Sequence, residues 1–424
     1  MAKVICTELQ KDGASGPNIT LDTSKNVTCE NNLQVDGNVT VTGTIPADKL
    51  TGTAAAINGS NITNLPAANL TGNLPAISGA SLTNLPTSPP AGRNKIINGE
   101  MKINQRGDET GVTSSGYRCC DRYQFKISNG GTWTIQQDSG PASEGFTKSL
   151  LYHCTSSGTM TGANHVYFRH KIEAQRLTDW KWGTAQATDV TLSFWVKSTE
   201  TGTGTITCFH YDHDTNDANT GYTYTISAAN TWEKKTITIA KSTDNPFDDN
   251  NGGGLTIYWN LDGGPDLKTG TANTSWGAWN QNKWMVGQTL AHATAGRKFW
   301  ITGIQCEAGT TATDFEHLGY EEDMRRCKRY YIQYGGGGGA ATSRILFEGY
   351  SGSTSYSITN HLSYTMRGAP SVSRTGSWQD NNVGSCAFDY RDANQLSHRL
   401  IVSSAGDAYT HTDADSYLIL DAEI

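Results

Sequence analysis

The chain has 424 residues, of which 36% are hydrophobic and 17% charged, with 46 glycines and a formal net charge of −7. So few charged side chains disfavour long solvent-exposed helices and suit strands and turns, and the acidic balance excludes a broad electrostatic footprint for nucleic acid. No apolar run reaches the roughly 18 residues that a membrane-inserted helix needs, and the length allows roughly two to four domains.

The N-terminus, Met1 to Cys6, runs straight into polar sequence and lacks the apolar centre of a signal peptide. Nine cysteines scattered from Cys6 to Cys386 show no CxxC spacing and no even count. The expectation is a reduced protein made inside the cell, with the adjacent Cys119 and Cys120 as free thiols. Seven Asn-x-Ser/Thr sequons then read as coincidence in Asn- and Thr-rich sequence.

Residues 1–116 contain no Phe, Trp or Tyr, and seven of the eleven prolines lie in the first 90 residues. A segment without aromatics forgoes much of the area that an ordinary core buries. Residues 1–44 read as a terminal segment and the start of a β-stem, because Leu33-Gln34-Val35 and Val39-Thr40-Val41 alternate between Gly-marked turns. Residues 45–93 carry a repeat: 50–69 (LTGTAAAINGSNITNLPAAN) and 70–89 (LTGNLPAISGASLTNLPTSP) are identical at ten of twenty positions. The repeat spaces apolar knobs at Leu50, Ile57, Leu65, Leu70, Ile77 and Leu85 between Gly, Asn and Pro. One such strand cannot bury its own knobs, whereas several parallel copies can, so the segment reads as the stem of an oligomer. The alternative is a flexible Gly/Pro/Ser linker.

From residue 94 the chain takes on the texture of an all-β domain, expected over 94–318 as a jelly-roll β-sandwich of about eight to ten strands. Val190, Leu192, Phe194 and Val196 share one face, as do Leu255, Ile257, Trp259 and Leu261, and Val166, Phe168, His170 and Ile172. Glu321-Glu322-Asp323 leading to Arg325, Arg326, Lys328 and Arg329 predicts one short helix, acid first and base last. Five glycines, Gly335 to Gly339, follow as a hinge or close-packed turn, and 319–424 closes with a second β-rich domain ending on Tyr417–Leu420.

Candidate chemistry is sparse. Asp212, His213 and Asp214 crowd ligand types, yet the spacing departs from an EF-hand at its Gly and its closing Glu, so the choice lies between a metal site and a polar turn. No G-x-S-x-G, HExxH or P-loop pattern occurs, and neither cofactor nor catalysis is expected. Trp276, Trp279 and Trp284 sit in a Gly/Asn-rich stretch that does not alternate. Such aromatics suit stacking on sugar faces, or else they close an end of the sandwich. Tyr350, Tyr356, Trp378 and Tyr390 are further candidates for a binding surface in the last domain.

Three signatures resemble phage and prophage tail-fibre proteins, particularly those of marine and cyanobacterial viruses. They are Asn94 to Arg106 (NKIINGEMKINQR), then Cys120-Asp121-Arg122-Tyr123, then Ile304 to Gly309 with Thr313-Asp314-Phe315-Glu316 and Cys327 to Tyr331. The resemblance implies a homotrimer on a virion, anchored through its N-terminus to a tail, baseplate or head protein, with distal domains that bind a host-surface glycan. A purely structural spacer is the alternative, and a polysaccharide depolymerase the third reading.

Overall fold

The computed structural model describes residues 8–9, 19–21, 27–29, 92–210, 218–243, 246–273, 275–335, 346–351, 355–412 and 416–424. The chain divides into two compact units, Met1–Leu85 and Pro86–Ile424. In the first, β1 (Glu8–Leu9), β2 (Ile19–Leu21) and β3 (Val27–Cys29) pair antiparallel in that order. The stem knobs Leu50, Ile57, Leu65, Leu70, Ile77 and Leu85, the ligand-rich Asp212, His213 and Asp214, and Gly336 to Gly339 lie outside the described residues.

Among its described residues the second unit is all-β apart from one α-helix and a few 3-10 turns. Its first part is a two-sheet antiparallel sandwich built from β4 (Glu109–Val112), β5 (Gly116–Tyr117), β6 (Tyr123–Ser128), β7 (Thr132–Ser139), β8 (Lys148–Ser156), β9 (His165–Glu173), β10 (Val190–Ser198), β11 (Gly202–His210), β12 (Ala218–Ile226), β13 (Glu233–Ile239), β14 (Gly253–Gly263), β15 (Gly277–Ala278) and β16 (Lys298–Ala308). One sheet has the order β13-β10-β16-β8-β7-β4 and the other β15-β12-β11-β14-β9-β6-β5. These thirteen strands exceed the eight to ten expected, because β4, β5 and β15 are edge strands of two to four residues, too short to show a period.

The core lies between the sheets, where inward residues of alternating strands meet. Phe168 of β9 stacks on Trp259 of β14 at 5.2 Å and on Tyr152 of β8 at 4.6 Å, while Phe194 of β10 meets Trp259 edge-on at 6.1 Å. Val190, Leu192 and Val196 are buried on the same face as Phe194, following the alternation. Strand β14 departs from it: Thr256, Tyr258, Asn260 and Asp262, which point away from the core, are buried as well. The segment 264–290 covers Tyr258 and Asn260, with Trp284 against the Tyr258 ring at 6.0 Å, Gln288 Nε2 donating to Asn260 O at 3.1 Å and Thr207 Oγ1 donating to Trp284 O at 2.9 Å, while Asp262 accepts from Ala293 N–H at 3.0 Å.

Helix α1 (Tyr320–Lys328) is held by Glu322, which accepts from both Arg325 and Arg326 at 2.8 Å. Beyond it lie β17 (Tyr331–Gly335), β18 (Leu346–Ser351), β19 (Ser355–His361), β20 (Ser371–Thr375), β21 (Trp378–Asn381), β22 (Val383–Arg391), β23 (Gln395–Val402), β24 (Gly406–Thr412) and β25 (Tyr417–Asp421). They form three antiparallel sheets of three strands, β17-β25-β20, β18-β24-β21 and β19-β23-β22, over a core that includes Phe347, Leu400 and Leu420. Gly335 ends β17 at φ +92°, where an added Cβ would meet Ser416 O at 2.7 Å, so this position is close-packed.

Residues 319–424 do not stand free; they are docked on the sandwich. The buried Arg122 pairs with Glu423, donates to Lys171 O at 2.7 Å and lies 3.4 Å from the centre of the Tyr330 ring. Arg106 bridges Asp121 at 3.3 Å and Glu423 at 3.1 Å. Asn98, at φ +58°, grips Ile103 through both backbone atoms, and its own N–H donates to Asp323 of α1 at 3.0 Å. Gln305, Glu307 and Thr313 interlock in the same manner, with Thr313 Oγ1 donating to Glu307 at 2.6 Å. The residues of the three signatures thus build the junctions of the fold.

Candidate functional site

Because Val166, Phe168, His170 and Ile172 face the core, Tyr167, Arg169 and Lys171 of β9 face outward, as do Thr205, Thr207 and Phe209 of β11 and Tyr258 of β14. The register aligns Thr207, Tyr258, Arg169 and Gln124 in one row across four strands of the seven-stranded sheet. Along it Arg169 donates through Nε to Gln124 Oε1 at 2.7 Å and through Nη1 to the Tyr258 hydroxyl at 2.9 Å. Beside it Lys126 is half-buried, and desolvation together with the Arg169 charge lowers its pKa.

The segment 264–290 lays a second layer of aromatics on this face. It is shaped by two 3-10 turns, Pro265–Leu267 and Gln281–Lys283, the second capped by the Asn280 side chain, which accepts from Asn282 N–H at 3.0 Å. Leu267 and Met285 are fully buried beneath the segment. Trp284 wedges against Tyr167 at 4.9 Å and Tyr258 at 6.0 Å. Trp279 then rests on Phe209 at 4.9 Å and against the edge of Trp284 at 5.3 Å, with 39% of its surface open to solvent. Among the described residues only Tyr320 and Tyr409 are comparably exposed large hydrophobic side chains.

The three tryptophans of this stretch therefore stand in different places. Trp279 is presented to solvent, while Trp284 is its buried support. Trp276 is half-buried: its Nε1 donates to Ala240 O at 2.7 Å and its ring meets Trp182 at 5.3 Å, closing the sandwich near His210. Trp378 of β21 is half-buried too, parallel to Phe347 at 6.4 Å and covered by the Arg374 guanidinium at 4.2 Å. Tyr350 lies in β18, Tyr356 in β19 and Tyr390 in β22, so the structure does not gather these candidates with Trp279 on one element.

Tyr258, Tyr167 and Arg169 were missed in the sequence because each belongs to a strand read for its inward face, and Phe209 because its strand was not read as one. For the first three the signal was the complementary half of the same alternation. Chemically the site offers an indole held rigidly from below, which can lie on the C–H face of a pyranose. Polar groups of Asn280 and Gln281 flank it in the chain. Among the described residues no group of three or more His, Cys, Asp or Glu is placed to hold a metal ion.

No protein-family model and no curated protein matches the chain. Among solved structures it is similar to the enzymatically active domain of tailspike protein 4 of bacteriophage CBA120, at 12% identity and a TM-score of 0.26, over 51% of this chain and 21% of that one. The chain thus spans about a fifth of that tailspike domain's length. It is also similar to a family 11 carbohydrate-binding module of Clostridium thermocellum in complex with a mixed-linked β-1,3-1,4 tetrasaccharide, at 13% identity and a TM-score of 0.25, over 49% of this chain and 98% of that one. The CBM22-2 xylan-binding domain of Paenibacillus barcinonensis aligns at 12% identity and a TM-score of 0.24, over 43% of this chain and 91% of that one.

Proposed function

We propose that the chain is an adhesive subunit of a phage fibre, trimeric through its N-terminal stem and attached to the virion by residues 1–44, whose sandwich binds a host-surface polysaccharide without turnover. The observation that carries the binding reading is Trp279, 39% exposed on a shelf of Phe209 and Trp284. An indole fixed in advance from below needs little further ordering when a sugar covers its open face. Three copies per fibre and several fibres per particle turn weak sugar contacts into firm attachment. The stem, the virion and the trimer rest on the 20-residue repeat and on the signature resemblance.

The test is to incubate the full chain with envelope polysaccharide extracted from candidate hosts, and to measure both retention and released reducing ends. Retention without release is the expected result. Release of oligosaccharides would replace adhesion by depolymerisation, and no retention on any extract would favour a structural spacer. The spacer reading has its own support: the signature residues Asn98, Gln105, Arg106 and Arg122 all serve internal docking.

A further inference from the structure

Where helix α1 meets the sandwich and the last domain, a cavity of about 690 Å³ opens between Lys95, Arg176, Arg325, Arg326, Arg329 and Glu322. Five of these six side chains are cationic, and their carboxylate partners are too few. Lys95 pairs with Asp179 at 2.8 Å, Arg329 makes a fork with Glu173 at 2.9 Å, and Arg325 and Arg326 share the single carboxylate of Glu322 at 2.8 Å. Arg176, set on the 3-10 turn Ala174–Arg176, has no carboxylate of its own among these contacts.

Two nitrogens of these lining residues, Arg176 Nε and Arg326 Nη1, are buried and make no hydrogen bond. Burial, with the like charges of Arg326 and Arg122 nearby, lowers the Arg176 pKa. A guanidinium always stays charged at neutral pH, so this repulsion is a standing cost that an incoming anion would remove. A hollow lined by five cationic side chains that share three carboxylates, with guanidiniums short of acceptors, suits planar oxyanion recognition. Ser363 and Thr365 in the lining add hydroxyls suited to the neutral part of a ligand.

We propose that this cavity binds the oxyanion of an acidic sugar, a uronate carboxylate or a sugar phosphate, with Arg176 and Arg326 as its ligands. The inference deepens the glycan-binding reading, since it makes the preferred polysaccharide an anionic one, but it concerns a site separate from Trp279. The site is lined by four segments of the fold, 92–95, the turn at 174–176, helix α1 with Arg329, and 363–365, so it exists only in the docked unit.

The experiment is calorimetric titration of the full chain with three probes: glucuronate, glucose 6-phosphate and glucose, each at 50 mM and 500 mM NaCl, with inorganic phosphate as a fourth. Binding of the anionic sugars at least about tenfold tighter than glucose, weakened by salt, is expected. Arg176→Met and Arg326→Gln should each abolish that preference while thermal melting stays cooperative; the second lies on the helix surface and covers the case in which the first fails to fold. Glucuronate against glucose 6-phosphate decides between carboxylate and phosphate as the source. Tighter binding of inorganic phosphate than of either sugar would overturn the sugar assignment. Equal affinity for charged and neutral sugars, or a preference that survives both substitutions, would overturn the site. Loss of polysaccharide retention with Trp279→Ala but unchanged glucuronate binding separates this site from the aromatic shelf. Glucuronate binding in a chain that retains no polysaccharide would mean that the adhesive reading fails and the cavity stands.

Discussion

Arg122 and Glu423, 301 residues apart in the chain, form an ion pair with side chains only 1% and 4% exposed. Arg106 joins the same carboxylate at 3.1 Å, so one glutamate neutralises two guanidiniums at the seam between the sandwich and the last domain. Breaking one partner of such a pair leaves an uncompensated buried charge. Glu423→Gln is therefore expected to destabilise the unit by about 3–5 kcal/mol, read by urea denaturation. Arg122→Met should cost a similar amount, and the double variant should recover part of the loss. Additive losses would contradict a coupled seam.

The same docking bears on how host attachment is to be tested. Removing 319–424 would strip Arg122, Arg106 and Lys171 of their partners Glu423 and Ile424, so a truncated chain is expected to lose folding along with any adhesion. Surface substitutions in the intact chain are the sounder route. A truncated protein that melts cooperatively at the wild-type temperature would contradict this.

Acidification should destabilise the fold through buried histidines. His292 is fully buried beside the Ser198 hydroxyl at 2.8 Å, and burial lowers its pKa from 6.5 to about 4. Burial lowers His398 to about 4 as well and His170 well below its ordinary value. These groups stay neutral when folded and take up protons on unfolding, so stability present above pH 6.5 is lost as the pH falls toward about 4. Asp121 works in the opposite sense: burial raises its carboxyl from 3.8 to about 6, the folded state holds the extra proton, and stability falls as the pH rises between those values. Asp262 and Asp323, also raised by burial, act with Asp121, whereas His153, His165 and Glu322, all lowered, act with the buried histidines. The contribution of one group is isolated by His292→Gln, in which the loss of melting temperature between pH 6.5 and 4 should be less steep than in the wild type. An identical slope in that variant would contradict the assignment.

Much of the architecture was legible from residue order. A strand with one buried face writes a period of two, and Val190–Val196 did so; the acid-to-base gradient of 321–329 marked helix α1. What was not legible is nonlocal. Tyr258 and Asn260 look like solvent-facing positions until the segment 264–290 covers them. The stretch holding Trp276, Trp279 and Trp284 stood out by composition, yet which ring is exposed depends on Phe209 and Tyr167, supplied by other strands. The cationic cavity was invisible for the same reason, since Arg176 and Arg326 meet only after the last domain has docked.

Trp284 separates support from contact. It is buried under Trp279, so Trp284→Ala should lower stability by about 3–5 kcal/mol as a large buried aromatic is lost. It should also weaken glycan binding, because Trp279 loses its backing. Trp284→Phe, which keeps a ring in place, is expected to restore most of both in denaturation and titration. Full affinity in a destabilised Trp284→Ala would contradict the buttress role.

The stem makes a prediction of its own. The proposed trimeric stem predicts that light scattering returns about three times 45.7 kDa for the full chain. Substituting Ile57, Leu65 and Ile77 by Asp should dissociate it. A monomeric full chain would make residues 1–93 a linker.

The most direct measurement is calorimetric titration of the wild-type chain and Trp279→Ala with the polysaccharide that retains the wild type, both first confirmed to melt alike. Loss of at least about tenfold in affinity, with the fold intact, is the expected result of the proposed stacking on the exposed indole. Undiminished binding by Trp279→Ala would contradict the aromatic shelf as the adhesive site.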